Sequence, residues 1–478
     1  MAATASLDPD DWDATRAQGH RMLDELFDHL QGLRGQPVWR PIPAEVRVAH
    51  QTEPPRSPGD LAEAHEIFKT DMLAYAGGNL HPGFMGWVQG AGTPVGVLAE
   101  MLAAGLNGNL GGRDHMPIAI EQEVVGWMRG LFGFPESATG LMVTGASMAN
   151  FIGVLVARRR ALGVDGRREG VSGPRLTAYA SVATHGCVSR AMDMAGLGSE
   201  NLRQIAVDHT HRIALDRLGE AIAADRAAGL RPFLLVANAG TVDAGGIDDI
   251  DALADIAAAE SLHLHVDGAY GALGMLTPEI APRLQGIERA DSLAFDFHKW
   301  AHVPYDAGFV LVRDGALHRD TFAAPAAYLA RETRGLAGGD FWPNDYGPDL
   351  SRGFRALKVW FTLKVLGTDA IARAIEHNCA LARTLQAMVE AEPRLELLAP
   401  AQLNIVCFRY RAADEVNRAI VADLHEAGVV APSLTTIDGR AAIRAALFNH
   451  RTEARDIEAL VAGVLAFGHA RTVKETAE

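Results

Sequence analysis

A chain of 478 residues with 48% hydrophobic side chains is long enough for roughly two or three lobes around a large buried core. Charged residues at 22%, with 49 Gly and 22 Pro, exclude collagen-like, coiled-coil and low-complexity classes. Acidic residues outnumber basic ones, 59 against 44, so the surface field repels phosphate backbones and anionic lipid, and neither nucleic acid nor a membrane is an expected partner. The three cysteines, Cys187, Cys379 and Cys407, form no CxxC pair, which supports neither a disulfide framework nor a zinc ribbon and points to a reducing compartment. The opening is acidic where a secretory leader is basic and apolar, and no stretch reaches about 18 uninterrupted apolar residues. A soluble, cytoplasmic protein is expected.

In chain order, helical spacing of apolar residues predicts a helix over 11–33. A proline-rich extended strap follows over 37–58, then a second helix over 60–75 that stops at Gly77-Gly78. Such an arm, residues 1–85, cannot bury its own apolar faces and is expected to lie on a partner subunit. Residues 86–366 alternate helices with short apolar runs, the pattern of an α/β domain with a mainly parallel sheet. Its clearest strands are 233–237, 262–266, 292–295 and 308–312, with a helix over 248–260. A long helix over 353–366 leads to a small C-terminal α/β domain, 367–478, with strands at 404–408 and 440–446. The Gly-rich tract 333–348 is expected to be a mobile loop.

Four segments place polar groups just after an apolar strand, where ligands sit in open α/β sheets. They are MVTGASMAN (142–150), ANAGTVDAGG (237–246), LHVDGAYGA (264–272) and FDFHKW (295–300). The first enters an apolar helix whose N-terminus offers unpaired N–H groups to a phosphate, with Thr144 and Ser147 hydroxyls beside it and Gly145 allowing close approach; a simple helix cap gives the same pattern. Lys299, between His298 and Trp300, is a desolvated amine suited to imine formation, or else a lysine snorkelling to solvent. Asp267 at a buried strand end needs a cationic partner, a protonated pyridine or an arginine. Together, a phosphate cradle, an aspartate and a His-Lys in this order are the set that pyridoxal phosphate requires.

These stretches, with HPGFMGWV, ATHGCVSRAM and LSRGFRALKVWF, resemble the group II pyridoxal-phosphate-dependent decarboxylases of aromatic amino acids, histidine and glutamate, over most of the chain. The resemblance implies a fold-type I enzyme: a mainly parallel seven-stranded sheet flanked by helices, an N-terminal helical arm, a small C-terminal α/β domain, a homodimer and one pyridoxal phosphate per subunit. Carried over by position, Lys299 bonds the cofactor, Asp267 pairs with its ring nitrogen, Ala269 packs beneath it and His185 stacks on it. Thr241 lies near ring and substrate. Thr144, Gly145, Ala146, Ser147, Asp296 and His298 surround the phosphate. Trp87, Val88 and Leu110 fall where the family lines its substrate pocket. The implied reaction is decarboxylation of an L-amino acid, aromatic by default, to the amine.

A tyrosine on a mobile loop protonates the product carbon in this family. Here Tyr346, beside Phe341 and Trp342, is the candidate and Tyr328 the fallback; without either, an aldehyde-forming oxidative outcome follows. Asp296 departs from the asparagine of many relatives, and a carboxylate beside a phosphate is repulsive unless protonated or turned away. Arg113, in Gly111-Gly112-Arg113-Asp114-His115, offers a second-carboxylate contact for an acidic substrate or is a solvated loop residue. A rival class, an HxH metallohydrolase, draws on His209 and His211 after Asp208 and on His263 and His265 beside Asp267, although strand alternation produces the same spacing. No metal is expected.

Overall fold

The computed structural model describes residues 6–324 and 331–475. Asp11 caps the first helix, Trp12–Gly32, by accepting from Ala14 N. The strap is not extended throughout: Ala44–Ala49 is a short helix, because AEVRVA holds no proline and Pro43 precedes it. Asp60 caps the second arm helix, Leu61–Ile67, which continues as a π-turn and a 3-10 turn to Tyr75.

Strand β1 is Phe84–Met85. The large sheet then takes β2 (Thr139–Val143), β3 (Leu176–Ser181), β4 (Leu202–Ile205), β5 (Arg231–Asn238), β6 (His263–Asp267), β7 (Ser292–Asp296) and β8 (Gly308–Val312). Their order is β2-β8-β7-β6-β5-β3-β4, and only β8 runs antiparallel to its neighbours. Six strands therefore end on the same edge. Burial on both faces explains their near-continuous apolar runs. In β5, Leu234 and Val236 face the helices Ala146–Leu162 and Cys187–Met194, while Leu235 and Ala237 face the core shared with Met116–Leu131 and Ile250–Ala259.

The small sheet comprises β1 with β9 (Leu395–Ala399), β10 (Ile405–Tyr410), β11 (Ala431–Ile437) and β12 (Arg440–Ala446), in the order β1-β11-β12-β10-β9. β1 pairs in parallel with β11, Phe84 opposite Ala431. The end of the expected arm thus belongs to the C-terminal sheet. One long helical stretch, Arg355–Ala391, bridges the two sheets, and its backbone breaks at Gly367 (φ 75°, ψ 161°), beside the domain boundary expected from sequence. Among the described residues, no helix is long and apolar enough to cross a membrane.

Candidate active site

A cavity of about 580 Å³ opens over the C-terminal ends of the parallel strands. Its lining includes Trp87, Val88, Thr144, Gly145, Ala146, Ser147, His185, Asp267, Ala269, Asp296, His298 and Lys299. The four strand-end segments singled out above therefore converge, as ligand-binding edges of open α/β sheets do.

β6 delivers Asp267. His263, His265 and Asp267 share one face of this strand, and Gly153 makes room there, since a Cβ at that position would lie 2.5 Å from the His265 ring. His265 Nε2 donates to Asn150 Oδ1 (2.7 Å), so Nδ1 of the neutral ring accepts from Ser292 Oγ (2.7 Å), whose oxygen in turn accepts from His263 Nε2 at 2.8 Å. Burial holds both rings neutral, with pKa values lowered to about 4 for His263 and about 3 for His265. These two histidines are thus bonded within the core. His209 and His211 sit in a separate turn organised by Asp208, whose Oδ1 accepts from Thr210 N and Arg212 N. The HxH pairs do not converge, which removes the geometric basis of the metallohydrolase reading. Among the described residues, the cluster with ligand-like spacing is Glu25, His65 and Glu66, and there Lys69 Nζ already pairs with Glu25 at 2.7 Å.

Asp267 is buried, with Ala269 N (3.1 Å) as a donor to Oδ1. Burial pushes its carboxyl above the usual range, against the lowering pull of Lys299 and His185. A protonated ring nitrogen is the kind of partner that such a carboxylate lacks. His185 Nδ1 accepts from Cys187 N at 3.2 Å, which places the proton of its neutral form on Nε2. The neighbouring Cys187 thiol is pushed up to about 12 by burial and stays protonated.

β7 delivers Asp296, and the following turn delivers His298 and Lys299. Gly90 lets the Trp87 segment lie against that turn; a Cβ there would be 2.1 Å from His298 O. Helix Ala146–Leu162 has Gly145 at its N-cap, and neither Thr144 nor Ser147 caps it. Asp296 Oδ1 takes Ala146 N at 2.6 Å instead, and Oδ2 takes Lys299 Nζ at 2.9 Å. The carboxylate is therefore turned toward the cradle, not away from it. In every other respect the residues fit pyridoxal phosphate: a helix N-terminus and two hydroxyls for the phosphate, Ala269 and His185 for the ring, Asp267 for its nitrogen and Lys299 for its aldehyde.

Three expected residues do not line the cavity. Leu110 is fully buried in the core, its amide donating to Arg352 O. Thr241 Oγ1 is spent accepting Gly246 N at 2.8 Å, while its neighbours Gly240 and Val242 reach the wall. Tyr346 stacks on Phe341 (4.4 Å, 17°) and packs against His318, under the β2 and β8 side chains. Its loop is anchored by Trp342, whose ring carries both Arg113 and Arg331 guanidinium groups on it at 5.2 and 5.4 Å. Arg113 is thus engaged away from the cavity. Tyr328 lies outside the described residues.

Sequence reasoning missed Tyr305, Ser433, Leu434 and Arg444. Tyr305 packs at a tilt against His298 (4.3 Å, 36°), and its hydroxyl is pushed up to about 12 by burial and by Asp296. Arg444 is 3% exposed and donates to Trp87 O (3.1 Å), Asp243 O (3.2 Å) and Ser433 Oγ (3.2 Å). Burial lowers the pKa of this guanidinium, and the nearby Asp243 carboxylate works against that lowering. A lone arginine inside the otherwise apolar AAIRAA was the available signal.

The sheet order and strand-edge site define a fold-type I pyridoxal-phosphate enzyme. The pyridoxal-dependent decarboxylase conserved domain matches residues 65–411, and the chain belongs to that family. It is a pyridoxal-phosphate-dependent carboxy-lyase acting on amino acids. An aromatic-L-amino-acid decarboxylase of Bacillus atrophaeus is 34% identical over 460 residues, covering 92% of this chain and 93% of the relative. A phenylacetaldehyde synthase of Arabidopsis thaliana is 28% identical, covering 95% of each chain. The crystal structure of Oryza sativa TDC with PLP and tryptamine shares the fold, with a TM-score of 0.90 and 24% identity over 98% of this chain and 100% of that one.

Proposed function

We propose that this enzyme decarboxylates an aromatic L-amino acid to the amine and carbon dioxide. The observation that carries the substrate class is the outer wall of the cavity, where Trp87, Val88, Val242, Leu434 and Tyr305 offer apolar and aromatic surface. Arg444 brings a guanidinium to the cavity wall, where it would attract the substrate carboxylate. Bound pyridoxal phosphate supplies the electron sink for the bond broken at the α carbon. The chain's own groups do the rest. Lys299 would hold the cofactor, Asp267 would keep a proton on the ring nitrogen, and His185 would present Nε2–H toward the ring. Ala269 forms the floor, and Ala146 with the Thr144 and Ser147 hydroxyls holds the phosphate.

One observation favours a second outcome, decarboxylation with oxidative deamination to an aldehyde. Tyr346 is packed away from the cavity, so the product carbon has no loop hydroxyl from it to protonate it. The test is incubation of the cofactor-loaded enzyme with each of the twenty amino acids, quantifying carbon dioxide, amine, aldehyde and peroxide. Amine from an aromatic amino acid as the main product is expected. Aldehyde with stoichiometric peroxide would replace the first reading by the second, and a preference for glutamate or aspartate would overturn the substrate class.

A cytoplasmic homodimer is part of the same reading. Trp12, Phe68 and Met72 on the arm and Met101, Leu102 and Leu106 on helix Pro94–Leu106 are exposed apolar side chains suited to a second copy. The three cysteines are free and buried, in keeping with a reducing compartment.

A further inference from the structure

The phosphate cradle contains a carboxylate, and its contacts have a consequence for how the cofactor is held. Asp296 Oδ1 accepts Ala146 N at 2.6 Å, while Oδ2 meets Lys299 Nζ at 2.9 Å and His298 Nε2 at 3.4 Å. All three partners are donors, the arrangement that an ionised carboxylate requires. A phosphate ester needs the same helix N-terminus and the same positive neighbourhood. Two anions cannot share them without strong repulsion in a site where Asp296 is 2% exposed.

We propose that Asp296 becomes neutral when the phosphate ester binds, so that loading takes up one proton from solvent onto the Asp296 carboxyl. The proton turns one oxygen from a competitor for the cradle's donors into a donor to the phosphate. The groups facing Asp296 favour this outcome. From its own segment come Lys299, which is committed to the cofactor, and His298, which burial keeps neutral. Tyr305 from the next turn carries a hydroxyl that burial keeps protonated. The helix Ala146–Leu162 presents backbone N–H, β8 presents Gly308, and the β6 side presents Ala269 O, which accepts Asp296 N. Asp267 and His185 line the same cavity at the ring position. Asp306 and Lys358 act on His298 from behind. None of these supplies a fixed cation that could neutralise carboxylate and phosphate together.

The test uses pyridoxal 5'-phosphate itself, whose aldehyde engages Lys299 in wild type and Asp296→Asn alike, so bond formation cancels in the ratio of their Kd values. Its Kd is measured from pH 6.5 to 9 for the wild type and Asp296→Asn, above the second phosphate ionisation near ~6. The wild-type Kd should rise relative to that of the variant by up to about tenfold per pH unit, and the variant should bind more tightly at high pH. A ratio of the two Kd values that stays constant across the range, or weaker binding by Asp296→Asn throughout, would overturn the proposal. Calorimetry of wild type and Asp296→Asn at pH 8 in two buffers of different ionisation enthalpy gives the proton count of each. The wild type is expected to take up about one proton more than the variant by linkage; equal counts refute the role of Asp296. These readouts involve no amino-acid substrate, so a failure here is separate from a failure of the aromatic decarboxylase reading.

Discussion

At the inner end of the cavity the polar groups stand on the terminus of a parallel strand or in the first turn after it, whereas the outer wall is assembled from turns and from the small domain. Asp267, Asp296 and His298 are 4%, 2% and 6% exposed, and each is fixed by backbone or side-chain hydrogen bonds. Trp87 is 58% exposed, sits at φ 50° and owes its place to Arg444, which holds its carbonyl from β12. The inner end is positioned by the sheet itself, the outer by side chains that a different sequence could replace without disturbing the fold. Chemistry is therefore tied to the architecture and substrate choice is not, in line with relatives that include both an aromatic-amino-acid decarboxylase and an aldehyde synthase.

That contrast can be broken from either side. The largest effect is expected from Lys299→Ala, which should lower turnover by about a thousandfold or more, measured as carbon dioxide release, and leave no borohydride-reducible cofactor on the chain. Activity within tenfold of wild type would contradict the assignment of the inner end.

Next comes the pair that supports this end from below. Arg352 and Glu121 are buried, 2.6 Å apart, and Arg352 also donates to Leu110 O (3.1 Å) and Met142 O (2.6 Å), just before the phosphate cradle. Glu121→Gln leaves the guanidinium uncompensated and should cost about 3–5 kcal/mol in denaturant unfolding. A change below about 1 kcal/mol, within the range of a surface pair, would show that the cradle does not depend on it.

Acid should also weaken the fold. Burial lowers the pKa of His263 to about 4 and of His265, His318 and His450 to about 3, and pushes His302 well down. The folded state thus binds fewer protons than the unfolded chain below about pH 6.5, so the stability from keeping these rings neutral is full above that value and is lost as pH falls toward 3–4. Asp248 and Asp267, raised by burial, act in the opposite sense but are two groups against five. Thermal midpoints should fall steadily from pH 6.5 to 4.5; a flat profile would show that the buried rings take up protons as readily as they do in the unfolded chain.

The smallest effects belong to the outer region. Trp87→Ala should raise KM for an aromatic amino acid by about two- to tenfold with little change in kcat, as loss of an aromatic contact worth about 0.5–1.5 kcal/mol predicts. Tyr346→Phe should leave amine formation within about twofold, since its hydroxyl is remote from the cavity. A large loss on Tyr346→Phe would mean that this loop repositions in the working enzyme.

The same division governed what could be read from the amino-acid sequence. Apolar runs ending in Asp267, Asp296 and Lys299 announce strands and their catalytic edge together, because in a sheet buried on both faces a charged residue marks where the strand stops. Thr241 and Leu110 carry no such mark: whether a side chain one residue along a turn faces the cavity or the core depends on local backbone angles. Arg444 and Ser433 were missed for another reason. They reach the site only because the small sheet folds back over the large one, across more than 130 residues of intervening chain from the nearest catalytic group, Lys299.

The parallel pairing of β1 with β11 ties the beginning of the chain to its end. Asn449 gathers the carbonyls of Asn79, Leu80 and His81, Thr452 Oγ1 reaches Pro82 O, and Arg34 meets Asp456 at 2.8 Å. During synthesis the first of these segments emerges from the ribosome long before its mates exist. Contacts of such long sequence separation form slowly, so newly made chains should pass through a period in which the large sheet has folded while the amino-terminal segment still waits for its seam to be closed.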